Sequence, residues 1–316
     1  MSFADHSPPV AIGDLARRLD ATVDLALADL AQGRALTASL SETERRVREA
    51  LGNPADLRAR MLRGGPGPAV LVLYLEGLVD DALLHDAVFG PLRGQGGGRS
   101  AGPPPGRAVT RTDEAVEALL AGQALVQRSG ERWAWAVEVR GFKHRLPDEP
   151  DLEPSIRGPR EGLIEVLDVN VAAIRRRLAT PWLRFEQLEL GPLTRTRAAI
   201  LYVAGRADPL VVATVRERLR AADRWDAVTS TQQLQELLEP RVGSLFPQVR
   251  QTERPDVCVA ALAEGRIIVL LDGTPFALIV PLSFWDLLQS PDDYHLRWPF
   301  GVTLRLLRLA ALLLML

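Results

Sequence analysis

The feature that most constrains this chain is an order of segments that occurs twice. Residues 69–75, Ala-Val-Leu-Val-Leu-Tyr-Leu, form a short continuous apolar run followed by Gly77. Residues 198–204 repeat its character, with Leu201-Tyr202 matching Leu73-Tyr74 and Gly205 closing the run. Apolar runs of this length without polar alternation read as buried strands. A helix is expected after each, over 80–88 and 209–219. Further on, residues 114–122 and 255–265 are matching helical stretches, each ending in glycine. Each leads into a hairpin: 123–128 with 133–139 around Ser129-Gly130, and 266–271 with 276–280 around Asp272-Gly273. Two accidental matches in the same order are the alternative to a duplication. The fold class is therefore α/β: two similar mixed α/β subdomains, each a strand-helix-helix-hairpin unit.

Between the copies lies a stretch expected to be a joining helix. Gly158 can cap it, and Pro159 suits its first turn, where a missing N–H costs nothing. Leu163, Leu167, Val171, Ile174 and Leu178 form one helical stripe. Glu161, Glu165 and Asp168 load its start and Arg175, Arg176 and Arg177 its end, as the helix dipole favours. Pro181 stops it. The resulting division is a variable tail over 1–40, a first subdomain over 41–148, the linker helix and second subdomain over 149–296, and a membrane-proximal segment over 297–316.

Smaller signals fill in the rest. Ser41 with Glu44 predicts a capping box opening a helix to Leu51, and a second helix is expected over 54–62. Residues 90–107, with Gly96-Gly97-Gly98 and Pro103-Pro104-Pro105, read as a flexible loop. Thr112 is expected to cap the helix that runs through Leu120. Residues 182–190 alternate as a strand at or near a sheet edge, and 229–239 form a helix with Ser230 as cap. Phe246 is expected to tuck inward from a loop.

Composition excludes several classes. The formal charge is −2 and the pI about 6.2, so nothing points to nucleic acid. A single cysteine, Cys258, rules out a disulfide framework within the chain, and its apolar helical neighbours mark it as a core thiol rather than a nucleophile. His6, His85, His144 and His295 have no metal-ligand spacing, and no metal or cofactor is expected. The glycine-rich stretch lacks a following Lys-Ser/Thr, so it is no phosphate loop. Asp80-Asp81 and Asp292-Asp293 read as helix caps or solvated acids, not a catalytic pair. From residue 309 onward the chain is wholly apolar, with Arg297, Arg305 and Arg308 just before. That run is too short to span a bilayer but has the form of a transmembrane helix beginning, with its basic flank on the cytoplasmic side. A helix packing back on the second subdomain is the alternative.

Ile156-Arg157-Gly158-Pro159-Arg160-Glu161-Gly162, Asn170, Arg175-Arg176-Arg177-Leu178, Glu253-Arg254-Pro255-Asp256, Glu264-Gly265-Arg266, Asp272-Gly273-Thr274-Pro275, Phe284 and Gln289-Ser290-Pro291-Asp292-Asp293-Tyr294 occur in one order across roughly 150–300. In this the chain resembles the A subunits of spore germinant receptors, the GerA family with its SpoVAF-like relatives. Leu163-Ile164 and His295 depart from the family pattern. The resemblance implies a non-enzymatic subunit acting in nutrient-triggered germination at the inner spore membrane, with its soluble domains on the cytoplasmic, spore-core side. Its implied partners are the receptor's B and C subunits, other A-subunit copies and, through the C-terminus, the membrane. The family continues into several transmembrane helices, so the segment after Arg308 reads as one cut short by truncation, fragmentation or frameshift.

The residues singled out as an interdomain or subunit contact are Arg157, Gly158, Pro159, Arg160, Glu161, Arg254, Asp256, Asp272 and Gly273. For Arg157, Arg160 and Glu161, the best candidates, the functional reading is that they clamp the two domains or a neighbouring subunit through guanidinium–carboxylate bonds, and the bland one is a solvated linker with a proline start signal. The competing class is a soluble two-lobed α/β ligand-binding protein or enzyme with a cleft between its repeats.

Overall fold

The computed structural model describes residues 33–62, 68–92, 106–141, 161–239 and 247–282, with scattered positions between 303 and 314. The first half contains α1 (Leu40–Ala50), β1 (Leu57–Leu62), β2 (Val70–Leu75), α2 (Asp81–Leu84), β3 (Gly106–Val109), α3 (Thr112–Leu120), β4 (Gln123–Arg128) and β5 (Ala134–Glu138). α2 widens into a π turn over His85–Phe89. The second half contains α4 (Leu167–Arg177), β6 (Leu183–Leu190), β7 (Thr196–Val203), α5 (Pro209–Arg220), α6 (Thr231–Leu238), β8 (Arg250–Thr252), α7 (Pro255–Ala263), β9 (Ile267–Leu271) and β10 (Ala277–Val280).

Each half builds one five-stranded antiparallel sheet, and the strand order is the same: β1-β2-β4-β5-β3 and β6-β7-β9-β10-β8. Alternate side chains of a strand point to opposite faces, so a strand covered on both sides is apolar throughout. In β2, Leu71, Leu73 and Leu75 face α1 and α3, while Val70, Val72 and Tyr74 face the helical turn after α2. In β7, Ala199, Leu201 and Val203 face α4 and α7, while Ala198, Ile200 and Tyr202 face α5 and α6.

The backbone repeats in detail. Leu36 N donates to Thr110 O and Leu163 N to Glu253 O; Gly130 N donates to Ala38 O and Gly273 N to Glu165 O; Glu76 N donates to Asp56 O and Ala204 N to Trp182 O. By these pairs α4 corresponds to α1. The expected joining helix is therefore the first helix of the second repeat, and the unit is larger than a strand-helix-helix-hairpin. It also contains a leading helix and two further strands, β1 with β3 in one copy and β6 with β8 in the other.

Other expectations need correction. Residues 57–62 are a strand, not a helix: Leu57, Ala59 and Met61 alternate with Arg58, Arg60 and Leu62, and β2 pairs along the whole run. α4 begins at Leu167, so Glu161 and Glu165 precede the helix rather than load its first turn. The cap position of α1 is Ser39, not Ser41, and that of α3 is Arg111, not Thr112. Residues 106–109 are a strand at the end of the expected loop. Ser230 does cap α6, in a full capping box with Gln233, and β6 is a sheet edge. Phe246, Gly158, Pro159 and residues 93–105 lie outside the described residues. Among the described residues, no helix is long and apolar enough to cross a membrane.

Candidate functional site

The segment entering α4 is held at nearly every residue. Glu161 accepts from Arg176 at 2.6 Å and also pairs with Arg177, so the segment folds back on the end of the helix it precedes. Leu163 N donates to Glu253 O at 2.7 Å. Ile164 N donates to Asn170 Oδ1 at 2.8 Å, and Asn170 Nδ2 donates back to Ile164 O. Gly273 N donates to Glu165 O at 2.8 Å. Val166 occupies the cap position of α4 and has no side-chain acceptor, so Asp272 supplies one from the hairpin turn: Leu167 N donates to its Oδ1 at 3.0 Å. Arg197 donates to Asp272 Oδ2 through Nε and Nη2 and to Asp168 Oδ2 through Nη1. Two carboxylates thus sit at the positive end of α4.

Arg254 stands at the cap position of α7, only 2% exposed, and its guanidinium grips Asp256 with 3.2 and 2.7 Å bonds. Burial pushes the Asp256 carboxyl up, but the hydrogen bonds and charge of Arg254 outweigh it, and the net direction is down. Asp272 and Gly273 therefore meet the entry to α4, Glu161 pairs with the far end of that helix, and Arg254 pairs with Asp256 at the start of α7, next to Glu253, which accepts from Leu163 N; each of these contacts lies inside the second repeat. Arg157, Gly158, Pro159 and Arg160 lie outside the described residues.

The contact between the two repeats uses residues that sequence reasoning missed. Arg175 of α4 pairs with Asp56, from the turn before β1, at 2.8 Å; the side chains are 1% and 8% exposed. Ala55 N donates to Phe185 O on the edge of β6, and Ala55 packs into the core shared by α4, α7 and the second sheet. Gly77 has φ +83, and a Cβ there would lie 2.8 Å from that of Ala172. The one signal for Arg175 was its place four residues after Val171, on the buried stripe rather than the solvated face. Nothing in the sequence marks Asp56 as its partner.

An open groove of about 520 Å³ also lies between the halves, with Val116, Leu120, Pro181 and Trp182 on its walls. Cys258 is fully buried, and Asp80 caps α2 by accepting from Ala82 N and Leu83 N. Among the described residues, no cluster of His, Cys, Asp and Glu could hold a metal.

Comparison with known proteins gives concordant matches. The family model described as Bacillus/Clostridium GerA spore germination protein matches residues 45–316. Spore germination protein KA of Bacillus subtilis (strain 168) is 32% identical over 286 residues, covering 86% of this chain and 52% of that protein. Spore germination protein GerLA of Bacillus cereus is 32% identical over 289 residues, covering 87% of this chain and 58% of that protein. The crystal structure of the N-terminal domain of the A subunit of the Bacillus megaterium spore germinant receptor GerK3 superposes with a TM-score of 0.61 at 26% identity, over 80% of this chain and 98% of that one. The chain thus spans about half the length of the curated relatives it matches.

Proposed function

The chain belongs to the GerA spore germination protein family, and from that premise we propose that it is the two-lobed N-terminal part of a germinant receptor A subunit. It acts without catalysis, as an assembly and coupling module in nutrient-triggered germination. The lobes are residues 41–148 and 149–296, preceded by a variable tail over 1–40 whose last residues, from 34 on, already pair with the first lobe. They sit on the spore-core side of the inner spore membrane, and the segment from 297 onward leads into it. Partners are the receptor's B and C subunits and further A-subunit copies. The contact residues of this reading are Arg157, Gly158, Pro159, Arg160, Glu161, Arg254, Asp256, Asp272 and Gly273.

The observation that carries this reading is that Glu253, Asn170, Asp272 and Gly273, scattered in sequence, meet residues 163–167 in one node at the entry to α4, with no catalytic arrangement there among the described residues. Such a node transmits position rather than performing chemistry. Deleting the gene in its spore-forming host is expected to abolish germination by at least one nutrient and leave germination by a non-nutrient trigger intact. The protein should fractionate with spore inner membranes and resist salt extraction. Unchanged germination with every nutrient, or a freely soluble protein, would overturn the reading.

The groove supports a second reading, a ligand-binding two-lobed protein. Its volume lies in the range of small-molecule sites, and its walls are largely apolar. Saturable chemical-shift changes at Trp182 on nutrient addition would favour it over a pure assembly role.

A further inference from the structure

Among the described residues, the two repeats touch through few groups, and those groups are poorly suited to a permanent seam. Arg175 and Asp56 are taken out of water, and Arg175 Nη2 donates to Asp56 Oδ1 at 3.2 Å, yet Asp56 Oδ2 and Arg175 Nε and Nη1 are buried without an aligned hydrogen bond, although Nε and Oδ2 lie 2.8 Å apart. A buried pair of this kind roughly returns in attraction what its desolvation costs. The charged groups around it do not complete it. Arg58 and Glu76 pair with each other, and Asp168 pairs with Arg197. Arg184, from the edge strand β6, brings a second guanidinium that donates to Pro181 O at 2.8 Å and that burial pushes down. A pocket of about 10 Å³, the size of one water, already reaches Asp56, with Arg58, Glu76, Asp168 and Gln187 on its walls beside the apolar Ala55, Val171 and Phe185. The direct backbone bond from Ala55 to Phe185 is long, at 3.3 Å. The sheets, by contrast, are filled by interdigitated apolar side chains on both faces.

We propose that this junction is a latch: the Asp56–Arg175 pair holds the two repeats in a closed arrangement, and the junction opens as a unit while both sheets remain folded. The pair is strong enough to define one position and incomplete enough to release it. This stands on the junction's own geometry and does not depend on the receptor reading.

Native-state hydrogen exchange of the full chain, resolved to the Ala55 amide, tests it together with small-angle scattering. In the wild-type protein the Ala55 amide is expected to exchange at least ~100-fold faster than the central amides of β2 and β7, because it needs only the local opening. Asp56→Asn should accelerate Ala55 by a further ~10-fold or more, leave the sheet amides unchanged, and enlarge the maximum dimension in scattering. The apolar double variant Asp56→Leu/Arg175→Met should restore both Ala55 protection and the compact dimension. Ala55 exchanging at the rate of the sheet centres in wild type overturns the latch, whether or not Asp56→Asn folds. So does an Asp56→Asn protein whose sheet amides accelerate along with Ala55, one whose Ala55 rate does not change, or one with faster Ala55 exchange at unchanged dimension, which is fraying of the turn alone.

Discussion

Arg111 and Arg254 hold the same position in the two repeats, each at the cap of a helix and each gripping the aspartate two residues on. Their surroundings make the pairs unequal. Arg111 is 48% exposed and Asp113 31%, whereas Arg254 is 2% exposed and Asp256 23%. An exposed pair contributes under about 1 kcal/mol, while removing one partner of a buried pair costs roughly 3 kcal/mol or more. Asp256→Ala is therefore expected to shift the denaturation midpoint far more than Asp113→Ala, and equal shifts would show that burial does not separate them. The pH dependence has a definite sign. The Asp256 pKa is lowered on folding, so its stabilisation is complete above the unfolded value near about 4 and is lost as pH falls through the folded value. Asp256→Asn should flatten the acid limb of the stability profile in that window and leave the neutral region without slope. Both Arg-x-Asp triplets were visible in the sequence. Which of them would be buried was not, because that depends on what the segments before α3 and α7 lay over them.

Among the elements, α4 shows how tertiary partners override a local signal. Its periodic stripe was legible, and the helix exists, but it starts at Leu167 rather than near Pro159. The backbone groups of residues 163–167 are claimed by Glu253, Asn170, Gly273 and Asp272, which hold the segment out of a helix. Asp272 acts as the cap that Val166 cannot be. Asp272→Ala should cost about 1–2 kcal/mol by freeing Leu167 N and loosening Arg197. Asp272→Asn, which keeps an acceptor, should cost less; both follow from urea melts. The hairpin turn around Asp272-Gly273 was read correctly, since Gly273 has φ +85, where glycine is favoured. β1 was misread because its six residues, Leu-Arg-Ala-Arg-Met-Leu, alternate apolar and arginine only as far as Met61 and carry weak periodicity until β2 lies beside them. β3 and β8, at four and three residues, were too short to register.

At the scale of the whole molecule, each repeat fills both faces of its own sheet, so neither needs the other for its core. Residues 33–141 expressed alone should give a cooperative thermal melt and a mixed α/β circular dichroism spectrum; a non-cooperative melt would mean that the junction supports the first repeat. The sequence by itself determined that the chain is duplicated, that its central strands are buried on both faces, where the hairpins turn, and which family the motifs resemble. Those follow from local chemistry: apolar runs, glycine at positive φ, and residues in fixed order. Only the tertiary structure decided that α4 opens the second repeat, that Asp272 caps it from a distant turn, and that Asp56 and Arg175 meet across the junction. Such contacts join residues more than a hundred positions apart, and their energies come from burial and geometry that no window of sequence contains.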